Sequence, residues 1–186
     1  MSRNALRLAD LATVIAMGVA TLVPLAATGT AMAQGAGSQD ATRGDVMEDL
    51  KATSRKSIQW WDSNFQVDPD SLFAPGYVNY QEPLASAGVE KGVTFEELKA
   101  IVASNHAAFP AMKVDLTLQV AEDDRVVTHW TFTAVQEGTY EGLAPTNKTV
   151  SWSGISIDEY NADGKISRTW VVWDKYTLFS DLGLIK

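Results

Sequence analysis

The hydrophobic pattern changes along the chain, from a helical period in the first half to a strand period in the second. From Asp45 to about Asp62, apolar positions fall near one face of a helix, at Val46, Leu50, Ile58 and Trp61. A second helix is predicted by the capping-box pattern from Thr94 to Glu97. Apolar residues then recur every three or four positions until Pro110 ends the pattern. Two helices are therefore expected, with a short aromatic segment at residues 77–80 between them.

Strand-like runs follow the second helix, over residues 113–121, 125–136, 149–160 and 165–177. The first run has apolar residues at every second position, Val114, Leu116, Leu118 and Val120. Such alternation predicts one buried and one wetter face. In the third run the apolar phase changes at Gly154, which predicts a bulge that bends the sheet.

The connections between these runs indicate how they pair. Residues 122–124 and 161–164 are hairpin-length links, too short for the crossover that parallel neighbours need. The strands are therefore expected to be antiparallel. Helices followed by a curved antiparallel sheet predict an α+β fold in a single domain.

The last run carries tryptophans on both faces and ends near a carboxylate. Trp170 shares its strand face with Val172 and Asp174, whereas Trp173 lies on the other face. Such a strand is expected to be covered on both sides, so Asp174 must be paired, protonated or used. A carboxyl group in an apolar pocket has a raised pKa, which suits proton transfer next to a carbonyl group. The alternative is an ion pair with Arg168 or Lys175.

The first 33 residues have the pattern of a signal peptide. Two arginines precede an almost wholly apolar stretch over residues 11–27, and residues 31–33 fit the small-x-small cleavage pattern. Cleavage after Ala33, export to the periplasm or medium, and no stable membrane insertion are therefore expected. The alternative is a retained membrane anchor. Residues 34–44 are small and polar and are interpreted as a flexible leader before a domain spanning 45–186.

Composition narrows the function classes. Residues 1–33 contain two arginines and one aspartate, so the remaining chain has 13 basic and 22 acidic residues and a formal charge of −9. Nucleic acid is not expected as a partner, because phosphate binding needs a basic face. The chain has no cysteine and two isolated histidines, so neither a thiol nucleophile nor a metal-ligand spacing is present. We expect no cofactor and no metal.

Several segments together resemble the SnoaL-like polyketide cyclases of the nuclear transport factor 2-like superfamily. They are LFAPGYVNYQEP at 72–83, AAFPAMKVDL at 107–116, AEDDRVVTHWTFT at 121–133, GTYEGLAPTNKTVSWSGISI at 138–157 and GKISRTWVVWDKYTLFSDLG at 164–183. The resemblance implies a cone-shaped α+β domain in which helices and a strongly bent antiparallel sheet surround an apolar pocket. It also implies metal-free and cofactor-free acid/base chemistry and a homodimer paired through its sheets.

The resemblance implies a catalytic role for Asp174, which matches the acidic residue that serves as general acid/base in the family. His129 is a second catalytic candidate, at a position where many relatives carry Arg. Tyr80 and Tyr140 stand where many relatives carry His, and they could orient a carbonyl group through their hydroxyls. The expected substrate-binding residues are Tyr80, His106, Tyr140, Trp152 and Trp170.

Each of these residues also has a purely structural interpretation. His106 lies on the apolar stripe of its helix and could be a hydrogen-bonded core residue, and the tyrosines and tryptophans could be ordinary packing. Three functions share this fold. The first is an exported acid/base enzyme, such as an aldol cyclase, isomerase or dehydratase, acting on a small apolar carbonyl compound. The others are a non-catalytic binding domain for a small apolar molecule and an accessory domain with a filled pocket.

Overall fold

The computed structural model describes residues 33–64, 66–81 and 92–185. Its helices are α1 (Ala33–Gln59), α2 (Phe95–Ala108) and α3 (Lys175–Leu182), with a 3₁₀ turn at Pro69–Ser71. Its strands are β1 (Phe73–Gln81), β2 (Val93–Thr94), β3 (Lys113–Glu122), β4 (Arg125–Val135), β5 (Thr149–Tyr160) and β6 (Ile166–Trp173). The predicted signal peptide lies outside these residues except at Ala33. Among the described helices, none combines the length and the apolar character needed to span a bilayer.

The sheet has the strand order β2-β1-β6-β5-β4-β3. The four consecutive strands β3 to β6 are antiparallel, as their short links predict. β1, which was not predicted as a strand, pairs in parallel with β6, so the sheet as a whole is mixed. The sequence between β1 and β6 contains α2 and four strands, β2 to β5, which is ample length for a parallel return. The α+β class is confirmed.

The two predicted helices are present, with different accuracy at their starts. The capping box of α2 is confirmed, because Thr94 Oγ1 accepts from Glu97 N and the Glu97 carboxylate accepts from Thr94 N. Helix α1 begins at Ala33 instead of near Asp45, so the flexible leader expected at 34–44 is helical. This segment contains three glycines, which disfavour a helix, as well as alanine and glutamine, which favour one, and it continues a helix that is already nucleated.

Strand β3 contains a bulge that the alternating pattern concealed. The register with β4 shifts between Leu116 and Leu118. Val114 and Leu116 therefore pack against the core, whereas Leu118 and Val120 lie on the opposite face with exposed fractions of 58% and 53%. The prediction of a single buried face for this strand was wrong, because an inserted residue moves all following apolar side chains to the other face of the sheet.

Strand β5 keeps its register through Gly154 against both neighbours, so the bulge predicted there was wrong. Every second residue from Val150 to Tyr160 is buried, and this inner face includes Gly154, Ser156 and Asp158. The apparent change of phase arose because these small and polar side chains face inward while two isoleucines face outward. A Cβ atom on Gly154 would lie 2.5 Å from the Trp130 ring, so glycine is what lets that ring lie across the strand.

Strand β6 ends at Trp173, and α3 replaces the last part of the run predicted as strand to Thr177. Asp174 is the N-cap of this helix, and Gly183 ends it with a φ of 88°. Aspartate is a preferred N-cap and glycine tolerates a left-handed conformation, so both boundary signals were present in the sequence.

Two apolar clusters make up the core. One contains Phe109, Trp130 and Trp152 with residues of α3, and the other contains Phe73 and Ile166 with residues of α1 and α2. Buried polar side chains accompany them on the inner face of the sheet and on α1: Ser54, Thr128, Ser156, Asp158 and Thr169. These polar side chains prepare the site described next.

Candidate functional site

A cavity of about 370 Å³ lies between the inner face of the sheet and helices α1, α2 and α3. Its wall is largely aromatic and includes Trp61, Phe73, Phe132, Tyr140, Trp152 and Trp173. This volume is within the lower range of small-molecule sites. An open cavity of this kind differs from the filled cone that was one of the alternatives.

Asp158 on β5 is a fully buried carboxylate among the lining residues, with an exposed fraction of 1%. Ser54 Oγ on α1 donates to its Oδ2 atom at 2.7 Å. Thr169 Oγ1, on the paired position of β6, donates to its Oδ1 atom at 2.7 Å. Both carboxylate oxygens are thus held by hydroxyl groups, one from a helix and one from a neighbouring strand.

Burial raises the pKa of Asp158 to about 6, and the hydrogen bonds from Ser54 and Thr169 offset part of that effect. Burial also raises the pKa of the nearby Tyr77 phenol, so Tyr77 is neutral at every working pH. The site therefore pairs a carboxyl group that titrates near neutrality with a permanently protonated phenol.

An ordered series of amides supports Tyr77 along β1. Gln81 Nε2 donates to Asn79 Oδ1 at 2.6 Å, and Asn79 Nδ2 donates to the Tyr77 hydroxyl oxygen at 2.9 Å. Tyr77 therefore accepts from Asn79, and its hydroxyl also interacts with the hydroxyl of Thr169, which links the phenol to a residue that holds Asp158. On β4 and β5, Trp130 Nε1 donates to Ser156 Oγ at 2.9 Å. Every buried side-chain nitrogen and oxygen in the described residues has a hydrogen-bond partner.

The arrangement suits proton abstraction from a carbon next to a carbonyl group. An ionised Asp158 can take the proton, and a neutral phenol can donate to the carbonyl oxygen as negative charge develops on it. Within the described residues, no group of three or more histidine, aspartate or glutamate side chains is placed to hold a metal ion.

Two of the seven candidate residues from the sequence line the cavity. Tyr140 lies in the loop after β4 and contacts the Phe109 ring edge-on, with ring centroids 5.0 Å apart. Trp152 lies on β5 beside Phe132, with ring centroids 5.6 Å apart. Both are placed to contact a bound molecule.

Asp174 does not line the cavity, and the structure gives it a different role. It is exposed, and as the N-cap of α3 it accepts from Thr177 N at 2.9 Å and from Thr177 Oγ1 at 2.6 Å. These bonds lower the pKa of Asp174 from its ordinary value. An exposed carboxylate with a lowered pKa is a poor proton shuttle at neutral pH, so this placement favours a capping role for Asp174 over the expected catalytic one. The suggested partner Arg168 pairs with Glu159 instead.

The two histidines also lie away from the lining. His129 is on the outer face of β4, where its Nδ1 atom contacts Thr117 Oγ1 at the β3 bulge. His106 Nε2 lies 2.9 Å from the carbonyl oxygen of Trp61 and joins α2 to the end of α1. The structural interpretation of His106 fits this contact, and the position of His129 on the outer face does not favour the catalytic role expected for it.

Tyr80 and Trp170 form a stacked pair on the outer face of the sheet, with ring centroids 5.6 Å apart and an interplanar angle of 16°. They pair across β1 and β6, and neither lines the cavity. The facing of β6 explains this, because Thr169, Val171 and Trp173 face the cavity and the alternate residues face outward. This position does not favour the substrate-binding role expected for Tyr80 and Trp170.

Asp158 was missed because the change of phase in β5 was interpreted as a bulge. Tyr77 and Asn79 were missed because residues 77–80 were interpreted as a short aromatic segment and not as part of a strand. Unbroken alternation from Val150 and Trp152 would have placed Ser156 and Asp158 on the buried face. An inward-facing aspartate in an otherwise buried row is the signal that the sequence did contain.

Comparison with known proteins agrees with this fold. The model of the SnoaL-like polyketide cyclase family matches residues 53–182. No curated protein sequence matches the chain. AclR from Streptomyces galilaeus, a proposed hydroxylase, is similar in structure with a TM-score of 0.64 and 25% identity, over 75% of this chain and 83% of AclR.

Two further crystal structures share the fold. IdmH from Streptomyces antibioticus, a proposed polyketide cyclase, has a TM-score of 0.62 and 20% identity, over 72% of this chain and 98% of IdmH. A proposed SnoaL-like polyketide cyclase from Jannaschia sp. CCS1 has a TM-score of 0.63 and 17% identity, over 76% of this chain and 96% of its own.

Proposed function

This chain belongs to the SnoaL-like polyketide cyclase family, and from that premise we propose that it is an acid/base enzyme acting on a small apolar carbonyl compound. The family supports a cofactor-independent, cyclase-type function. Fold does not choose among chemistries, so the proposal rests on the site. The observation that carries it is a fully buried Asp158 with a pKa raised to about 6, among the lining of an aromatic cavity.

Asp158 is the general base in this proposal. Its carboxylate removes a proton from the carbon next to the carbonyl group, and the electron pair of that bond moves onto the carbonyl oxygen. Tyr77 donates a hydrogen bond to this oxygen and stabilises the enolate. In ring closure, the enolate carbon attacks a second carbonyl carbon of the same molecule, and the oxygen of that carbonyl takes the proton from Asp158. In isomerisation, the enolate takes the proton back from Asp158 at another position.

Deuterium exchange tests this proposal without knowledge of the natural substrate. The protein is incubated in D₂O with a panel of small apolar ketones, and exchange at the carbon next to the carbonyl group is followed by proton NMR. We expect exchange faster than in buffer for ketones that also change tryptophan fluorescence on binding. Binding without faster exchange across the whole panel would support the non-catalytic binding domain instead.

We also propose that two copies of the chain pair through the outer face of the sheet. Two rows of directly paired residues run across the strands on this face. One row is Leu118, His129, Ile155 and Val172, and the other is Val120, Val127, Ile157, Trp170 and Tyr80. Five of these apolar side chains are exposed, by between 36% and 58%: Leu118, Val120, Ile155, Ile157 and Val172. A contiguous apolar surface favours a symmetric contact in which the same face serves both copies.

Replacing Val172 by lysine is expected to convert the dimer to a monomer at micromolar concentration, because two buried cations would face the partner. Light scattering measures the mass. Val46→Lys is the matched control, since Val46 is equally apolar and 48% exposed but lies on α1. Val171 and Trp173 are unsuitable for this test because both face the cavity. A parent protein that is already monomeric contradicts the dimer.

Export is part of the proposal on the pattern of residues 1–33 alone. We expect the mature protein to begin at Gln34. Intact mass of protein recovered from the periplasm or medium tests this, and a membrane-bound protein that retains residues 1–33 would favour the anchor.

A further inference from the structure

A continuous series of side-chain hydrogen bonds runs from a half-exposed arginine to the buried carboxylate. Arg55 NH1 donates to Gln119 Oε1 at 2.7 Å, and Gln119 Nε2 donates to Thr128 Oγ1 at 3.0 Å. Thr128 Oγ1 lies 3.0 Å from Ser54 Oγ, which donates to Asp158 Oδ2 at 2.7 Å. We call these four residues, Arg55, Gln119, Thr128 and Ser54, the donor chain.

The donor chain has one direction. A guanidinium group can only donate, so the oxygen of the Gln119 amide must face Arg55 and its nitrogen must face Thr128. The same nitrogen also donates to the carbonyl oxygen of Lys51 at 3.2 Å, which agrees with this orientation. Ser54 has a single hydroxyl proton and directs it at Asp158, so Thr128 is the donor in its contact with Ser54. Each donor therefore points towards the carboxylate.

Among the described residues that influence the pKa of Asp158, none is a charged group that could take the place of the donor chain. The titratable groups near it are the phenols of Tyr77 on β1 and Tyr160 on β5, and burial raises the pKa of both. Tyr160 donates its proton to the carbonyl oxygen of Leu50 at 2.8 Å. Glu159 and Arg168, which neighbour the site in sequence, pair with each other at 3.1 Å.

We propose that the donor chain holds Asp158 in the orientation and ionisation state of a base. Ser54 is the positioning residue that touches the carboxylate, and Gln119 carries the direction that Arg55 imposes to Thr128. The inference rests on the proposed function in treating Asp158 as the base, and it adds α1 to the site. Ser54 and Arg55 are adjacent on that helix, so docking of α1 against β3 and β4 supplies both ends of the chain.

Titration of Asp158 in the full-length protein tests the inference without any substrate. Carbon-13 NMR of the aspartate side-chain carboxyls gives the apparent pKa in the parent and in each variant. We expect Ser54→Ala to raise the pKa of Asp158 by about one unit, because a hydrogen bond to a charged group is lost. Gln119→Met is expected to raise it by less, since Thr128 then loses the group that orients it.

Ser57→Ala is the matched control. Ser57 is also a buried serine on α1, but its hydroxyl donates to the carbonyl oxygen of Ser54 and not to Asp158. We expect no shift in the pKa of Asp158 in this variant. An equal shift in Ser57→Ala, or an unchanged pKa in a folded Ser54→Ala protein, overturns the inference. If Ser54→Ala does not fold, Gln119→Met is the test instead. An unchanged pKa of Asp158 in Gln119→Met then also overturns the inference.

The two proposals fail in different ways. If the variants show the expected pKa shifts but the protein does not catalyse deuterium exchange, the donor chain stands and the proposed enzymatic function is rejected. If the protein catalyses exchange of ketone protons but Ser54→Ala leaves the pKa of Asp158 unchanged, the proposed function stands and the donor chain is rejected.

Discussion

Replacing Asp158 by asparagine is expected to slow deuterium exchange of a bound ketone by about 10²–10⁴-fold, the usual contribution of one general acid/base group. Asparagine preserves the size of the side chain and can still accept from one of the two hydroxyls that hold it, but it cannot take a proton. Ligand binding, measured by tryptophan fluorescence, should therefore change much less than the exchange rate.

Asp174→Asn is the control for this experiment. Asp174 is the carboxylate that the family resemblance favours, and it is exposed at the start of α3. We expect its variant to keep most of the exchange activity, because asparagine is also a good N-cap. A large loss of exchange in Asp174→Asn together with normal exchange in Asp158→Asn would contradict the assignment of the base.

The contribution of Asp158 to the free energy of unfolding is expected to fall by about 3 kcal/mol as the pH rises from 3.8 to 6. Its pKa is about 6 in the folded protein and 3.8 as the reference value for the unfolded chain. The folded state thus binds more protons in this window, and the free energy of unfolding decreases with pH. The stabilisation that comes from proton binding at Asp158 is fully present below pH 3.8 and is lost above pH 6. A shift of about two pKa units at 1.36 kcal/mol each gives the magnitude.

Urea denaturation of the parent and of Asp158→Asn at several pH values measures this contribution. The difference between the two proteins should be small near pH 4 and should grow in favour of the variant by about 3 kcal/mol at pH 7.5, because asparagine carries no charge to bury. The subtraction removes the titration of the other carboxylates. A difference that does not vary with pH would mean that Asp158 has an ordinary pKa in the folded protein.

The elements with strong local signals were predictable from the sequence. The capping box at Thr94 placed the start of α2, and the short links at residues 122–124 and 161–164 gave the antiparallel pairing of β3 to β6. Both depend on interactions within a few residues. The parallel pairing of β1 with β6 depends on contacts between distant segments, and no local pattern encodes it.

The site was harder to predict because it departs from the rule that identifies buried faces. Apolar residues mark the inner face of most strands, but β5 directs Ser156 and Asp158 inward and exposes Ile155 and Ile157. A pattern that searches for apolar residues therefore assigns the wrong face where polar groups are retained inside. The aspartate that stood out, Asp174, did so at a strand end, where it serves the next helix.

The parallel pairing of β1 with β6 has a consequence for the order of folding. Val78 lies beside Arg168, 90 positions further along the chain. Tyr77 and Asn79 are on the first of these strands, and Thr169 is on the last. The hairpins β3-β4-β5-β6 can form from local contacts, but Tyr77 can reach Asp158 only after the loop between the two outer segments closes. We therefore expect Tyr77 and Asp158, the proposed catalytic pair, to come together late in folding, and hydrogen exchange during refolding measures this order.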